Sequence, residues 1–213
     1  MRKVDWAKAL QPLFQKYIGR KHPLDYKNRY QLVVMVILSA RDSDKHVNDI
    51  TPPFFKAFPT MKRLAKAKAG DLQKFIGKVR NGRNKIAWLM DLAKTIGTDE
   101  RIPTAMDELT VLAGIGRKSA NVIIRESGGK AEGIIVDLHV LRVAPRLGIA
   151  ADEDPRKMEK QLMEAIPQED WNEAGMALSF LGREICRPTD PKCPLCPANK
   201  VCSYYSGIRG KHK

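Results

Sequence analysis

Cysteine is missing from the first 185 residues of this chain. Long apolar runs are missing too. None approaches the ~18 residues that cross a bilayer, which excludes a membrane-spanning helix. The longest, residues 32–38, reads as a buried helix. Met1-Arg2-Lys3-Val4-Asp5 lacks the apolar core of a secretory signal, so the chain is expected to be intracellular. Strand-forming runs are scarce. Only residues 133–136 carry a β-branched stretch, and it is too short to found a sheet. Acidic residues are outnumbered, 24 against 38 Lys and Arg, for a net charge of +14. A surface that positive calls for a polyanionic partner, most simply nucleic acid.

What is present is helical punctuation. Apolar residues recur at helical spacing over 4–18, 28–38, 60–67, 71–76, 83–96, 106–111, 118–126, 137–147, 155–165 and 170–184. Ser43 or Asp44 caps a further helix from residue 45 to 50, where Pro52-Pro53 should stop it. The fold class is therefore all-α, built from short helices with Gly- and Pro-marked turns, with one candidate seam at residues 127–133. The charge is uneven. Residues 56–94 hold eleven bases against Asp71 and Asp91, while residues 152–170 hold seven acids against three bases. A charge run is ordinarily a solvated face. Two regions of opposite sign argue instead for an oriented basic surface.

All four cysteines fall in the last 28 residues, as C-x6-C-x2-C-x5-C: Cys186, Cys193, Cys196 and Cys202. Pro188, Pro191, Pro194 and Pro197 stiffen the segment, so the sulfurs can converge on one centre. Four thiolates suit Zn²⁺ or a [4Fe–4S] cluster. Disulfides are the plainer alternative, disfavoured where thiols stay reduced. Only Cys193 and Cys196 form the short pair typical of structural zinc, so the spacing favours iron over zinc.

Leu112-Ala113-Gly114-Ile115-Gly116-Arg117-Lys118 is the second informative segment. Gly114 and Gly116 flank Ile115 in a tight turn that points Ile115 into the core and frees backbone N–H groups for an anion at a helix start. Alone, Gly-x-Gly is an ordinary helix–helix turn. With Leu112 before it and Arg117-Lys118 after it, the pattern resembles the helix-hairpin-helix of DNA-binding proteins. Lys118 sits in the first helical turn, where the dipole disfavours a cation. It reads either as a phosphate contact or as a partly buried lysine kept neutral to act as a nucleophile. Asp137, after Ile134-Ile135-Val136, reads as a helix N-cap or as a carboxylate that stabilises developing positive charge.

These segments, with the Val136-Asp137-x-His139 stretch, Leu38-Ser39-Ala40-x-x-Ser43-Asp44 and Asn81, resemble the endonuclease III family over roughly residues 25–205. The family comprises DNA glycosylase/AP lyases of the helix-hairpin-helix superfamily. The resemblance implies two helical domains with a cleft between them: a central one over 22–133, and a cluster domain over 1–21 plus 134–213. It implies a [4Fe–4S] cluster on the four cysteines and damaged or abasic duplex DNA as partner. It also implies a monomer in a prokaryotic-type cytoplasm. Lys118 would attack C1′ of a flipped nucleotide, and Asp137 would stabilise the oxocarbenium-like charge. DNA contacts would come from Arg41, Val79, Arg80, Gly114, Ile115, Gly116, Arg117, His139, Arg187 and Lys192.

Some positions depart from the family pattern. Arg41 stands where a glutamine is usual, short Val79 precedes charged Arg80 where a bulky aliphatic wedge is common, and Ala113 replaces a proline. His139 also reads as a packed helix residue, and Arg187 and Lys192 as solubilising charge. His22, His46 and His212 lack ligand-like spacing and read as surface residues. Three other functions compete: a non-catalytic DNA-binding module, a monofunctional glycosylase of the same fold, and a zinc-binding structural protein.

Overall fold

The computed structural model describes residues 4–210, so His212 lies outside the described residues. The chain divides into two compact units, Lys21–Gly129 and the combination of Met1–Arg20 with Lys130–Lys213. Among the described residues there are helices and 3₁₀ turns but no strand, and no helix is long and apolar enough to cross a membrane. Residues 134–136 are buried and belong to no strand.

The unit Lys21–Gly129 holds α3 (Arg29–Ser39), α4 (Asp44–Ala57), α5 (Met61–Leu64), α6 (Ala69–Ile76), α7 (Gly82–Ile96), α8 (Met106–Thr110) and α9 (Arg117–Glu126). Its centre is α3. Asn28 caps it by accepting the Gln31 N–H at 2.9 Å, and Tyr30 and residues 32–38 are all buried. A helix apolar all round belongs inside a core, and α4, α7 and α9 pack on α3.

The expected stop at Pro52-Pro53 does not occur: α4 runs through both prolines to Ala57. Packing outweighs the lost donors. Phe54 is fully buried and meets Phe55, Phe58 and Phe75 at centroid distances of 5.5, 5.2 and 6.3 Å. Breaking the helix would forfeit that aromatic cluster.

The other unit holds α1 (Trp6–Ala9), α2 (Gln11–Tyr17), α10 (Leu138–Leu147), α11 (Pro155–Ala165), α12 (Trp171–Glu184) and α13 (Ser203–Gly210). The single helix expected over 4–18 is two, because Pro12 has no N–H for the Lys8 carbonyl and the chain turns at Leu10. Every residue of α12 from Ala174 to Gly182 is buried, and α2 and α10 pack against it.

Pro52 and Pro53 are exposed, so their rings add no buried area. Pro53→Ala returns an N–H for the Asp49 carbonyl and should raise stability by about 1–3 kcal/mol, less the entropy gained by the unfolded chain. Urea denaturation checks this. A lower midpoint would mean the ring is needed where it is.

Candidate active site and DNA interface

The hairpin turn is set by one glycine. Gly114 has φ +81, and a Cβ there would lie 2.9 Å from Trp88 Cε3 and 3.2 Å from its Cβ. Left-handed backbone and a tryptophan ring on the Cα both demand glycine. Gly116 differs: it has φ −91 and open space around a Cβ, and it is the N-cap of α9. Ile115 is 3 % exposed and packs inward. Ile115 N–H donates to the Leu112 carbonyl at 3.1 Å, so the backbone donors of the turn left for an anion are those of Gly114 and Gly116, at a helix start where the dipole assists. Arg117 and Lys118 are the first two residues of α9. Lys118 is exposed rather than partly buried, and among the described residues it has no acidic partner.

In the same unit, Arg41 and Arg80 lie exposed in the turns before α4 and α7. Val79 is 3 % exposed and faces the core, so it is not placed as a wedge. Its neighbours Lys78, Arg80 and Asn81 are the exposed side chains of that turn. His46, read from the sequence as a surface residue, lies with Nδ1 2.9 Å from Asp42 Oδ1.

In the other unit, Asp137 is the N-cap of α10. Its Oδ1 accepts the N–H groups of His139 and Val140, each at 2.9 Å. Its Oδ2 accepts the Ser179 hydroxyl at 2.6 Å and lies 3.9 Å from Arg183 Nη2. The carboxylate is thus both a cap and an oriented anion. Sequence reasoning missed Ser179, although the signal was there in part. Gly175, Ser179 and Gly182 follow one another at helical spacing on α12. A Cβ on Gly175 would meet Ile135 N at 2.6 Å, and one on Gly182 would meet His139 Cβ at 2.8 Å. The two glycines let the chain around Asp137 press onto α12, and Ser179 between them reaches the carboxylate. Leu138, next to Asp137, is 79 % exposed.

The four cysteines are all free thiols, and Cys186, Cys193, Cys196 and Cys202 line one shared pocket. Cys186 N–H bonds the Leu181 carbonyl at 2.7 Å, fixing the loop to the end of α12. From α10, Arg146 donates to Cys186 Sγ at 3.5 Å and to the Arg187 and Pro188 carbonyls at 2.7 and 3.1 Å. Arg142 donates to the Cys186 carbonyl at 3.2 Å and lies 3.2 Å from His139 Nδ1. One helix therefore carries Asp137, His139 and the arginines that hold the cysteine loop. Arg187 and Lys192 are exposed on that loop. Burial, joined by the sulfurs of Cys202, Cys186 and Cys193, pushes the Cys196 thiol up to about 11 against a backbone bond from Ala198. Four bare thiolates are thus disfavoured there without positive charge among them. The soft donor set and the shared cavity fit a metal–sulfur group.

The HhH-GPD family of base excision DNA repair proteins matches residues 34–168. The endonuclease III of Synechocystis sp. is 35% identical over 188 residues, 87% of this chain and 86% of that protein. The endonuclease III of Bacillus subtilis is 37% identical over 182 residues, covering 84% and 83% of the two chains. A solved structure described as a trapped endonuclease III–DNA covalent intermediate, an estranged-adenine complex, matches with a TM-score of 0.84 at 30% identity. That match covers 95% of this chain and 96% of that one. The chain belongs to the HhH-GPD superfamily of base excision DNA repair proteins, and within it to the endonuclease III family.

Gly114→Ala should lower the melting temperature and weaken duplex binding, because Trp88 must move and the backbone is strained by about 1–2 kcal/mol. Gly116→Ala should fold normally. Equal behaviour of the two in thermal denaturation and DNA-binding assays would contradict this division of roles.

Proposed function

We propose that this DNA glycosylase/AP lyase of base excision repair removes oxidised pyrimidines from duplex DNA, with Lys118 as nucleophile and Asp137 as the carboxylate of the site. The observation that carries the reading is Lys118 itself, an exposed amine in the first turn of α9 with no acid to neutralise it among the described residues. A lysine committed to an ion pair could not attack.

The flipped nucleotide places C1′ before the amine. Nitrogen bonds to C1′ as the glycosidic bond breaks and the base leaves with its electron pair and a proton. Loss of an amine proton and opening of the sugar ring give a Schiff base. Removal of a C2′ proton then expels the 3′ phosphate by β-elimination, nicking the strand 3′ to the lesion. Asp137, held by Ser179 and the α10 N–H groups, stabilises the positive sugar at bond cleavage and assists proton transfer. The backbone N–H groups of Gly114 and Gly116, in a turn closed by Ile115 N–H on Leu112, and the side chains of Arg117, Arg187 and Lys192 bind phosphates, which makes binding salt-dependent. Arg41 and Arg80 address the strand opposite the flipped nucleotide, and His139 lies beside the damaged one. Arginine only donates, so Arg41 favours an orphaned guanine, whose O6 and N7 both accept, over adenine.

Cys186, Cys193, Cys196 and Cys202 would hold a [4Fe–4S] cluster, which when bound stiffens the basic loop carrying Arg187 and Lys192. The C-x6-C-x2-C-x5-C spacing, with one short pair rather than two, suits a multi-iron group better than one tetrahedral zinc. Residues 22–133 form the central domain, and residues 1–21 with 134–213 the cluster domain. The protein acts as a monomer in the cytoplasm.

Lys118→Gln should bind an abasic duplex nearly as well as the wild type yet yield no adduct under borohydride reduction. Efficient trapping by that variant would assign the chemistry to another amine. Asp137→Asn should fold and lose about a hundredfold in single-turnover base excision, the scale of one acid–base or electrostatic contribution. An unchanged rate would reduce Asp137 to a helix cap.

A further inference from the structure

The turn joining α3 to α4 and the turn entering α7 are stitched together at two points. Asp42 Oδ2 accepts the backbone N–H of Arg80 at 2.8 Å. Lys85 of α7, only 1 % exposed, donates from Nζ to the Leu38 carbonyl at 2.6 Å. That carbonyl belongs to the last turn of α3, where the helix dipole favours a cation. Lysine is almost never so buried without a partner. Its charge is answered by the end of α3 and by the nearby Asp42 carboxylate, which opposes the downward pull of burial on the ammonium pKa.

Asp42 is fully engaged as well. Its Oδ1 accepts the Ser43 N–H at 2.8 Å and faces His46 Nδ1. Burial pushes its carboxyl pKa up, but the bonds from Arg80, His46 and Ser43 outweigh that and hold it below the usual carboxylate range. Beside the two stitches the backbone is left-handed at two residues that are not glycine, Arg41 at φ 61 and Asn81 at φ 64. Such conformations persist only where the surroundings over-determine them. Arg41 and Arg80, the exposed cations of the two turns, are thereby fixed with respect to one another.

We propose that Asp42 is a positioning residue for damage recognition: with Lys85 it locks the Arg41 turn to the Arg80 turn, so that both arginines meet the strand opposite a flipped nucleotide as one preformed unit. This rests on the function proposed above. Without the lock, each turn would be ordered only on the DNA, and the ordering cost would come out of damage-specific binding. The electrostatic effect of losing Asp42 has the opposite sign, since removing a carboxylate from a basic protein tightens contact with any duplex. The two effects can therefore be separated.

The test is fluorescence anisotropy at one fixed salt concentration, on a duplex with a tetrahydrofuran abasic analogue opposite guanine and on the same duplex undamaged. Asp42→Ala should lower the ratio of the two affinities about tenfold, the scale of one lost charge-assisted hydrogen bond. Undamaged duplex should bind equally well or better. Asp42→Asn keeps an acceptor for the Arg80 N–H and should recover most of the ratio. Lys85→Met, which removes the second stitch without opening a large cavity, should lower the ratio in the same direction and decides the matter if Asp42→Ala does not fold. An unchanged ratio in Asp42→Ala and Lys85→Met, with wild-type protein trapping normally on abasic DNA, would overturn the positioning role alone. Wild-type protein that never traps would overturn the chemistry beneath it.

Discussion

A tryptophan ring lies against the Cα of Gly114, and the orientation of the hairpin follows from that contact. Trp88 occupies the space a side chain would need, and the positive φ of Gly114 turns the chain back so that Ile115 enters the core and Gly116 opens α9. With Ile115 anchored, the first turn of α9 has no freedom to rotate. Its exposed N–H groups and Lys118 therefore project from a fixed origin. Preorganisation of this kind would let the proposed nucleophile and anion-binding turn act on a substrate without first being ordered by it. Arg117 and Lys118 would otherwise be ordinary surface cations.

The second unit solves a different problem, which is how to hold a carboxylate aimed. Here the device is close helix approach. Glycines at 175 and 182 remove the two side chains that would keep α12 away from residues 135 and 139, and Ser179 between them donates to Asp137. The cap bonds of α10 take one oxygen and Ser179 the other, so neither the cap role nor the charge-stabilising role excludes its alternative. Further along α10, Arg142 and Arg146 grip the backbone of the cysteine loop. The position of Asp137 and the shape of that basic loop thus share one rigid element.

Much of this was legible in the sequence, because the signals were local. Gly-Ile-Gly before a basic pair, an aspartate after an apolar run and four cysteines among prolines each carry their meaning within a few residues. The helices followed from periodicity and caps. The misreadings involve contacts distant in the chain. Pro52-Pro53 looked like a stop, but Phe54 makes its contacts with Phe75, on another helix. The family resemblance put Val79 among the DNA contacts, and its side chain is drawn into the core. Lys118 read either as a phosphate contact or as a partly buried nucleophile, and it is exposed, which only the packing of the turn could decide. Lys85 looked like one more cation in a basic stretch, while its partner is a carbonyl 47 residues earlier. Nothing in the local pattern marks such a pairing.

The most direct measurement is peptide mapping of the borohydride-reduced adduct formed by the unaltered protein on an abasic duplex. Proteolysis followed by tandem mass spectrometry locates the sugar remnant on one side chain. The expected result is a single modification, on the ε-amine of Lys118. A remnant on any other lysine or on the terminal amine would contradict the assignment of Lys118, however well the fold and the cysteine loop matched.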